Sequence, residues 1–106
     1  MPKYLLEASY TGTGVQGLMK DGGSKRRAAA KTLIESLGGK LEALYYAFGE
    51  TDVIAVADLP DNAAAAAASL TISSSGSLRG KITVLLTPEE VDQAVKKSAS
   101  YTPPGR

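Results

Sequence analysis

The sequence predicts an α+β domain in which a four-stranded antiparallel sheet carries its helices on one face. Three observations lead to this class. Strand-like and helix-like segments alternate in the order β-α-β-β-α-β, with one more short helix at the end. Two of the strand-like segments, residues 40–48 and 51–59, are separated only by Gly49 and Glu50, so they must be antiparallel. The length of 106 residues is typical of one domain.

The first strand and the first long helix are predicted from the N-terminal part of the chain. Residues 3–10, KYLLEASY, predict the strand, and the glycine-rich segment that follows predicts only one short helical turn around residues 15–20. A longer helix is expected to begin at Ser24, whose hydroxyl can cap the first turn. It should end at Gly38-Gly39, because glycine readily adopts the left-handed conformation that closes a helix.

The second half of the chain predicts another helix and a fourth strand. Pro60-Asp61 marks the helix start, since proline suits a first turn and aspartate is a good cap. The alanine run of residues 63–68 has high helix propensity. Residues 78–87 predict the strand, and Thr87-Pro88-Glu89-Glu90 predicts the start of a short final helix.

The order of these elements is the split βαβ or ferredoxin-like pattern. We therefore expect residues 1–98 to form a single domain of this type. The tail, residues 99–106, contains Pro103-Pro104 and is expected to be extended or mobile.

Composition excludes several classes of function. The chain has no Cys and no His, which removes thiolate nucleophiles, disulfides and the commonest metal ligand and general base. Its net charge of +1 gives no field that would attract nucleic acid or anionic membranes. No apolar run approaches the roughly 20 residues of a membrane span, and the N-terminus does not resemble a signal peptide. We expect a cytoplasmic protein with no metal, no cofactor, no nucleic-acid partner and no membrane contact.

The strand pattern predicts a homodimer. An antiparallel sheet with one wet face alternates apolar and polar residues, but residues 45–48 are consecutively apolar or aromatic and residues 53–57 contain no polar side chain. Both faces of these strands therefore need cover. A second copy packed sheet to sheet, as a two-fold dimer or within a higher oligomer, provides it. The alternative is a monomer in which the final helix and the tail form a lid.

Two segments carry a resemblance to a known family. YTGTGVQGLMKDGGSKRRAAA and LGGKLEALYYAFGETDVIAVADLPDNAAA resemble the GYD family of small bacterial proteins, with the likeness extending over residues 3–90. The family signature is a Gly followed by a Tyr-Asp pair in the hairpin turn. Gly49 and Asp52 match it, whereas Thr51 stands where the Tyr would be, which weakens any role assigned to that Tyr. The resemblance implies ferredoxin-like protomers that form a dimeric α/β-barrel, and no particular activity.

Polar side chains on the sheet face away from the helices predict a ligand pocket between the sheets. Alternation places Arg79 and Lys81 on that face if the apolar residues of the fourth strand meet the helices. Glu7 of the first strand is expected to share this space, lined also by a tyrosine from the Tyr45-Tyr46 pair. A few convergent polar groups between apolar walls suit a small molecule. The alternative is a structural ion pair between Glu7 and Lys81 at the dimer edge.

Four acidic residues surround the second hairpin strand. Asp61 is expected to cap a helix, Asp58 to lie where the strand leaves the sheet, and Glu50 to be exposed at the tip. Gly49 is expected to supply the positive φ that a tight hairpin needs. Only Asp52 keeps a functional interpretation, because it lies at a sheet end where a ligand could enter.

Residues 12–17 match the dinucleotide-binding pattern G-x-G-x-x-G and follow a strand. That mechanism needs parallel strands in a doubly wound sheet. Here the next two strands form a hairpin and no chain remains for such a sheet, so no dinucleotide cofactor is expected.

The first turn of the first long helix carries Lys25-Arg26-Arg27, preceded by glycines and Ser24. Positive charge at a helix N-terminus opposes the helix dipole, and a bound anion would relieve this. Ser24, Arg26 and Arg27 are therefore candidate anion-binding residues. The alternative is a solvated charged face.

Two classes of function agree with these observations. The first is a small homodimeric binding or regulatory module with a small-molecule pocket between its sheets. The second, which the resemblance to dimeric α/β-barrel proteins implies, is a cofactor-independent oxygenase, isomerase or lyase that uses Tyr, Glu and Asp as acid–base groups. The absence of His and Trp counts against the enzyme.

Overall fold

Strands and helices follow the predicted order in the computed structural model, which describes residues 1–106. The elements are β1 Lys3–Tyr10, α1 Gly12–Asp21, α2 Gly23–Ser36, β2 Lys40–Tyr46, β3 Val53–Asp58, α3 Asn62–Ser74, β4 Leu78–Leu85 and α4 Pro88–Val95. The strands form one sheet of order β2-β3-β1-β4, and every neighbouring pair is antiparallel. This is the ferredoxin-like arrangement, so the predicted fold class is confirmed. None of the helices has the length and apolarity that crossing a bilayer requires.

The two main helices cover one face of the sheet. α2 packs chiefly against β2, and α3 packs chiefly against β4. The tightest core lies where β1 begins and β3 ends: Tyr4 and Leu59 are fully buried beside Ile34 and Ala57. The Tyr4 hydroxyl donates a hydrogen bond to Oδ1 of Asn62, 2.7 Å away, so its polar tip is satisfied at the edge of the core.

Alternation along β3 supplies apolar side chains to both faces of the sheet. Ala55 and Ala57 are buried beneath the helices. Ile54 and Val56 therefore lie on the opposite face, because successive strand residues point to opposite sides. The chain covers this second face with no element of its own, and we call it the open face.

α1 is longer than the sequence predicted. It is a ten-residue helix rather than a single turn around residues 15–20. The Thr11 side chain caps it by accepting a hydrogen bond from the Gly14 amide at 3.2 Å. Gly14 is buried against the backbone of Ser77, an approach that only a residue without a side chain permits. Tertiary packing and the cap thus outweigh the poor helix propensity of glycine.

Three of the four predicted helix-capping residues have the predicted role. Asp61 caps α3 through the Ala64 amide, Thr87 and Glu90 form a capping box at α4, and Gly38 adopts a φ of 82° after α2. Ser24 does not cap α2: the N-cap is Gly22, and no side chain caps the helix.

The connection between β2 and β3 is wider than predicted. β2 ends at Tyr46 and β3 begins at Val53, so residues 47–52 form a loop in place of a two-residue turn. Gly49 does not have a positive φ. The loop is closed at its base by a hydrogen bond from the Ala47 amide to the Asp52 carbonyl at 2.8 Å, and a wider loop does not need the left-handed residues of a tight turn.

The final helix extends away from the rest of the domain. α4 contains no buried residue, and Val95 on its apolar side is 78% exposed. The radius of gyration is 16.9 Å, whereas a compact domain of this length has one of about 13 Å. Within one chain, α4 and the tail therefore do not form the lid over the open face that the monomeric alternative requires.

Candidate functional site

Directly paired residues cross the open face in rows, because the strand pairing is regular at these positions; the one register shift lies between Leu41 and Ala43 of β2. One row contains Tyr45, Ile54, Glu7 and Lys81, in the order β2, β3, β1 and β4. The next row contains Ala43, Val56, Leu5 and Thr83. Cross-strand neighbours have Cβ atoms about 5 Å apart, so the side chains of each row are in contact range. Three of the predicted candidates, Glu7, Tyr45 and Lys81, thus lie in a single row.

Paired charges flank the apolar centre of the open face. Lys81 Nζ lies 3.9 Å from Glu7 Oε1, and the Lys81 side chain is 73% exposed. In another part of the face, Lys3 Nζ lies 2.9 Å from Asp58 Oδ1 and 3.3 Å from Glu42 Oε1. The hydrogen bond with Asp58 raises the pKa of Lys3 above its ordinary value, with a smaller contribution from Glu42. The open face is therefore apolar around Leu5, Ile54 and Val56, with an ion pair on either side of this centre.

A shallow depression of about 310 Å³ lies beside the row that contains Glu7. Its polar lining consists of Glu7, Ser9, Glu50, Thr51, Arg79 and Lys81. The Ser9 hydroxyl donates a 2.8 Å hydrogen bond to the Glu50 carbonyl, which holds the hairpin loop against the end of β1. The structure thus brings Glu7, Arg79 and Lys81 together around one open space.

Two other predicted residues are engaged elsewhere. Asp52 Oδ2 accepts a 2.8 Å hydrogen bond from the Tyr10 amide, and the Asp52 amide donates to the Ala8 carbonyl at 2.9 Å. Asp52 therefore ties the hairpin loop to β1. Tyr46 lies on the helix side of the sheet, where its hydroxyl donates to the Gly23 carbonyl at 2.9 Å. Of the tyrosine pair, only Tyr45 belongs to the open face.

The structure separates the three candidate anion-binding residues. Ser24 and Arg27 line a surface groove of about 420 Å³ beside the β2 edge. Arg26 faces away from that groove, and its guanidinium lies 3.6 Å from Asp21 Oδ2. Lys25 lies at the same distance from the other oxygen of Asp21.

Sequence reasoning missed a second cavity, of about 140 Å³, between the two main helices and the sheet. Ten of its eleven lining residues are hydrophobic, and the exception is Arg26. It lies on the face opposite the predicted pocket. The available signal was a cluster of small residues at inward positions, including Ala8, Ala30 and Ala55.

Tyr10 is another residue that the sequence did not single out. It is half-buried between the sheet and the start of α2. Burial raises the pKa of Tyr10, and so does neighbouring Tyr46, while Arg26 acts in the opposite direction. The phenol is therefore held in its neutral form beside a guanidinium.

The side chains do not assemble a metal centre or a nucleotide cradle. No group of three or more acidic side chains comes together with metal-binding geometry. Residues 12–17, which match G-x-G-x-x-G, lie within α1 rather than in a loop that could wrap a pyrophosphate.

An antiparallel sheet with helices on one side and an apolar, ion-paired face on the other defines a ferredoxin-like domain with a free sheet surface. The chain belongs to the GYD domain family, whose family model matches residues 4–95. This span contains all four strands and all four helices apart from the first residue of β1. No curated protein and no solved structure gave a significant match. The resemblance inferred from residues 3–90 is thereby confirmed.

Proposed function

We propose that this GYD-domain protein is a small homodimeric binding or regulatory module that packs its open faces together and holds a small polar molecule between them. The observation that carries the proposal is the open face itself. Leu5, Ile54 and Val56 form its apolar centre, and these side chains gain free energy when a second copy removes them from water.

The size of the open face suits a specific interface. Four strands of six to eight residues, spaced about 4.8 Å apart with a rise of about 3.4 Å per residue, cover about 500 Å² of each protomer. A pair of protomers would bury about 1,000 Å², which is close to the lower bound for specific association. We therefore expect a reversible dimer rather than an obligate one.

The ligand is expected at the depression that contains Glu7, Lys81 and Arg79. Lys81 has a carboxylate partner, whereas Arg79 has no acidic group within 4.0 Å. A second sheet placed over this depression would exclude water and strengthen the interaction of Arg79 with an anionic group. A small polar metabolite with a carboxylate or phosphate group fits these charges.

A binding role is preferred to an enzymatic one because the acid–base groups are engaged in structural contacts. The Asp52 carboxylate accepts the Tyr10 amide, and the Tyr46 hydroxyl is bound to Gly23. Glu7 and Tyr45 remain on the open face, where Glu7 is paired with Lys81.

Analytical ultracentrifugation over a range of protein concentrations tests the dimer. Ile54→Lys places a charge at the centre of the open face and should give a monomer, because the interface would then bury two cations around the single Glu7 carboxylate. Leu70→Lys is the matched control, since Leu70 is 70% exposed on α3 and should leave the dimer intact. A wild-type protein that sediments as a monomer at 100 micromolar, or an equal effect of both substitutions, would reject the proposal.

Native mass spectrometry tests the ligand. The proposal expects a small co-purified molecule that is lost in Arg79→Gln, while the dimer persists. Retention of the molecule in Arg79→Gln would place it elsewhere in the protein.

A further inference from the structure

The cavity between α2, α3 and the sheet has the properties of a ligand site, and we call it the helix cleft. Its floor consists of Leu6 and Ala8 of β1 together with Val53 and Ala55 of β3. Its walls come from α2, which includes Leu33, and from α3. It arises because the two helices cover the outer strands β2 and β4, which leaves the two central strands less covered.

Small side chains keep the helix cleft open. Ala30 of α2 and Ala8 and Ala55 of the sheet lie at positions where larger residues would fill it. At the other end of the same layer, Tyr4 and Leu59 pack completely. Helices usually pack closely onto a sheet, so an unfilled, solvent-accessible cleft of about 140 Å³ in so small a domain needs an explanation.

The size and lining of the helix cleft suit one small ring. An apolar cavity of about 150 Å³ stays dry and takes up benzene or xenon. The helix cleft, at about 140 Å³, is nearly equal in volume and almost as apolar, but it opens to solvent at Ala29. A water cluster is a poor occupant, because ten of the eleven lining residues are hydrophobic and few can offer a hydrogen bond.

One cationic residue, Arg26, lines this apolar space. The Arg26 side chain is 36% exposed, and its guanidinium is 3.6 Å from the Asp21 carboxylate. Asp21 is shared with Lys25, also at 3.6 Å, so two cations face one carboxylate and a unit of positive charge is left over. Tyr10 lies beside Arg26 and offers a neutral hydroxyl. An anionic group would therefore find charge complementarity at this one side of the cleft.

We propose that the helix cleft binds a small aromatic carboxylate, with its ring against Ala30 and Ala55 and its carboxylate on Arg26. Arginine is well suited to this role, because its planar guanidinium matches carboxylate geometry. The site lies on the face of the sheet opposite the proposed dimer interface and does not depend on it.

Titration calorimetry and ligand-detected NMR with benzoate, its neutral analogue benzamide, and benzene test the proposal. The wild-type protein should bind benzoate at least about tenfold more tightly than benzamide, because only benzoate can form the charged contact. Arg26→Gln should remove this preference and leave benzene binding unchanged. Arg27→Gln, on the same helix but outside the cleft, is the matched control and should behave as wild type.

Filling the cleft provides the second arm. Ala30→Leu should abolish binding of both benzoate and benzene. If that variant does not fold, Ala29→Leu on the more exposed part of the same wall replaces it. Ile54→Lys should leave benzoate binding unchanged, which separates this site from the dimer proposal.

Three results would overturn the inference. Absence of benzene and benzoate binding to the wild-type protein at millimolar concentration removes the site. Undiminished binding in a folded cleft-filling variant places the ligand elsewhere. An unchanged preference for benzoate in Arg26→Gln removes the assignment of the carboxylate.

Discussion

Replacing Gly14 with alanine tests whether α1 depends on its close approach to the segment before β4. A Cβ atom at Gly14 would overlap the carbonyl oxygen of Ser77 and lie 3.0 Å from the Tyr10 ring. Contacts of this kind with backbone are relieved only if α1 moves away. The Ser77 carbonyl also accepts the Thr11 amide at 3.0 Å, so this movement would weaken the hydrogen bond at the start of the helix.

The expected change in the free energy of unfolding has three contributions, one stabilising and two destabilising. Alanine in place of glycine favours a helix interior by about 1 kcal/mol. Overpacking costs about 1 to 3 kcal/mol, and the weakened Thr11 hydrogen bond costs about 1 kcal/mol more. Gly14→Ala should therefore lower the free energy of unfolding by about 1 to 3 kcal/mol.

Gly17→Ala is the matched control in the same helix. A Cβ atom there meets nothing within 4 Å, so only the gain in helix propensity of about 1 kcal/mol applies. The two variants should thus differ by about 2 to 4 kcal/mol in urea unfolding followed by circular dichroism. Both are measured at one protein concentration, because dimerisation adds to apparent stability. Equal stabilities for the two variants would refute the close approach of α1 to Ser77.

Three further predictions concern single hydrogen bonds and alkaline pH. Tyr4→Phe should lower stability by about 1 kcal/mol in thermal unfolding, because it removes the 2.7 Å bond to Asn62; an unchanged melting temperature would contradict that contact. Asp52→Ala should lower stability by about 2 kcal/mol, because its carboxylate accepts the Tyr10 amide, and should leave binding of the open-face ligand intact. A variant of unchanged stability that loses this ligand would instead favour a functional role for Asp52. Folding raises the pKa values of Tyr10 and Lys3. Their contributions to the free energy of unfolding are therefore fully present below the unfolded pKa values of 10.0 and 10.5, and are lost as pH rises through the folded pKa values. The urea midpoint should therefore fall above about pH 10, and less steeply in Tyr10→Phe.

Local signals in the sequence were sufficient to predict most of the fold. The short link after residue 48 implies an antiparallel pair, and the caps at Asp61 and Thr87 have the hydrogen bonds that their residue types predict. These features depend on neighbours within four residues. Strand alternation likewise placed Glu7 and Lys81 together on the face away from the helices.

The features that could not be predicted depend on contacts between distant parts of the chain. In the wide hairpin loop, the Asp52 carboxylate accepts a hydrogen bond from the Tyr10 amide, 42 residues away. α1 is a full helix because Gly14 packs against Ser77, which is distant in sequence and lies just before β4. From local sequence alone, a glycine at this position predicts a break in the helix, because glycine has low helix propensity. The packing that compensates for this comes from a distant segment of the chain.

The helix cleft is another feature that could not be predicted from the sequence. Alanines at residues 8, 30 and 55 are equally compatible with helices that close over the sheet and with helices that stand apart, because small residues permit both. The separation of α2 from α3 depends on their packing against the outer strands. Volume at the centre of the layer is thus a property of the assembled fold.

The two proposed sites share β1 and use alternate residues of it. Leu6 and Ala8 face the helix cleft, while Leu5 and Glu7 face the open sheet surface. Because neighbouring side chains of a strand point to opposite sides, a substitution at one position leaves the other face chemically unchanged. Glu7→Gln should therefore strengthen binding of an anionic ligand on the open face, because it frees Lys81 and removes a like charge, without affecting benzoate in the cleft. An effect of Glu7→Gln on both ligands would instead mean that the strand transmits a change across the sheet, and the two sites would then have to be treated as coupled.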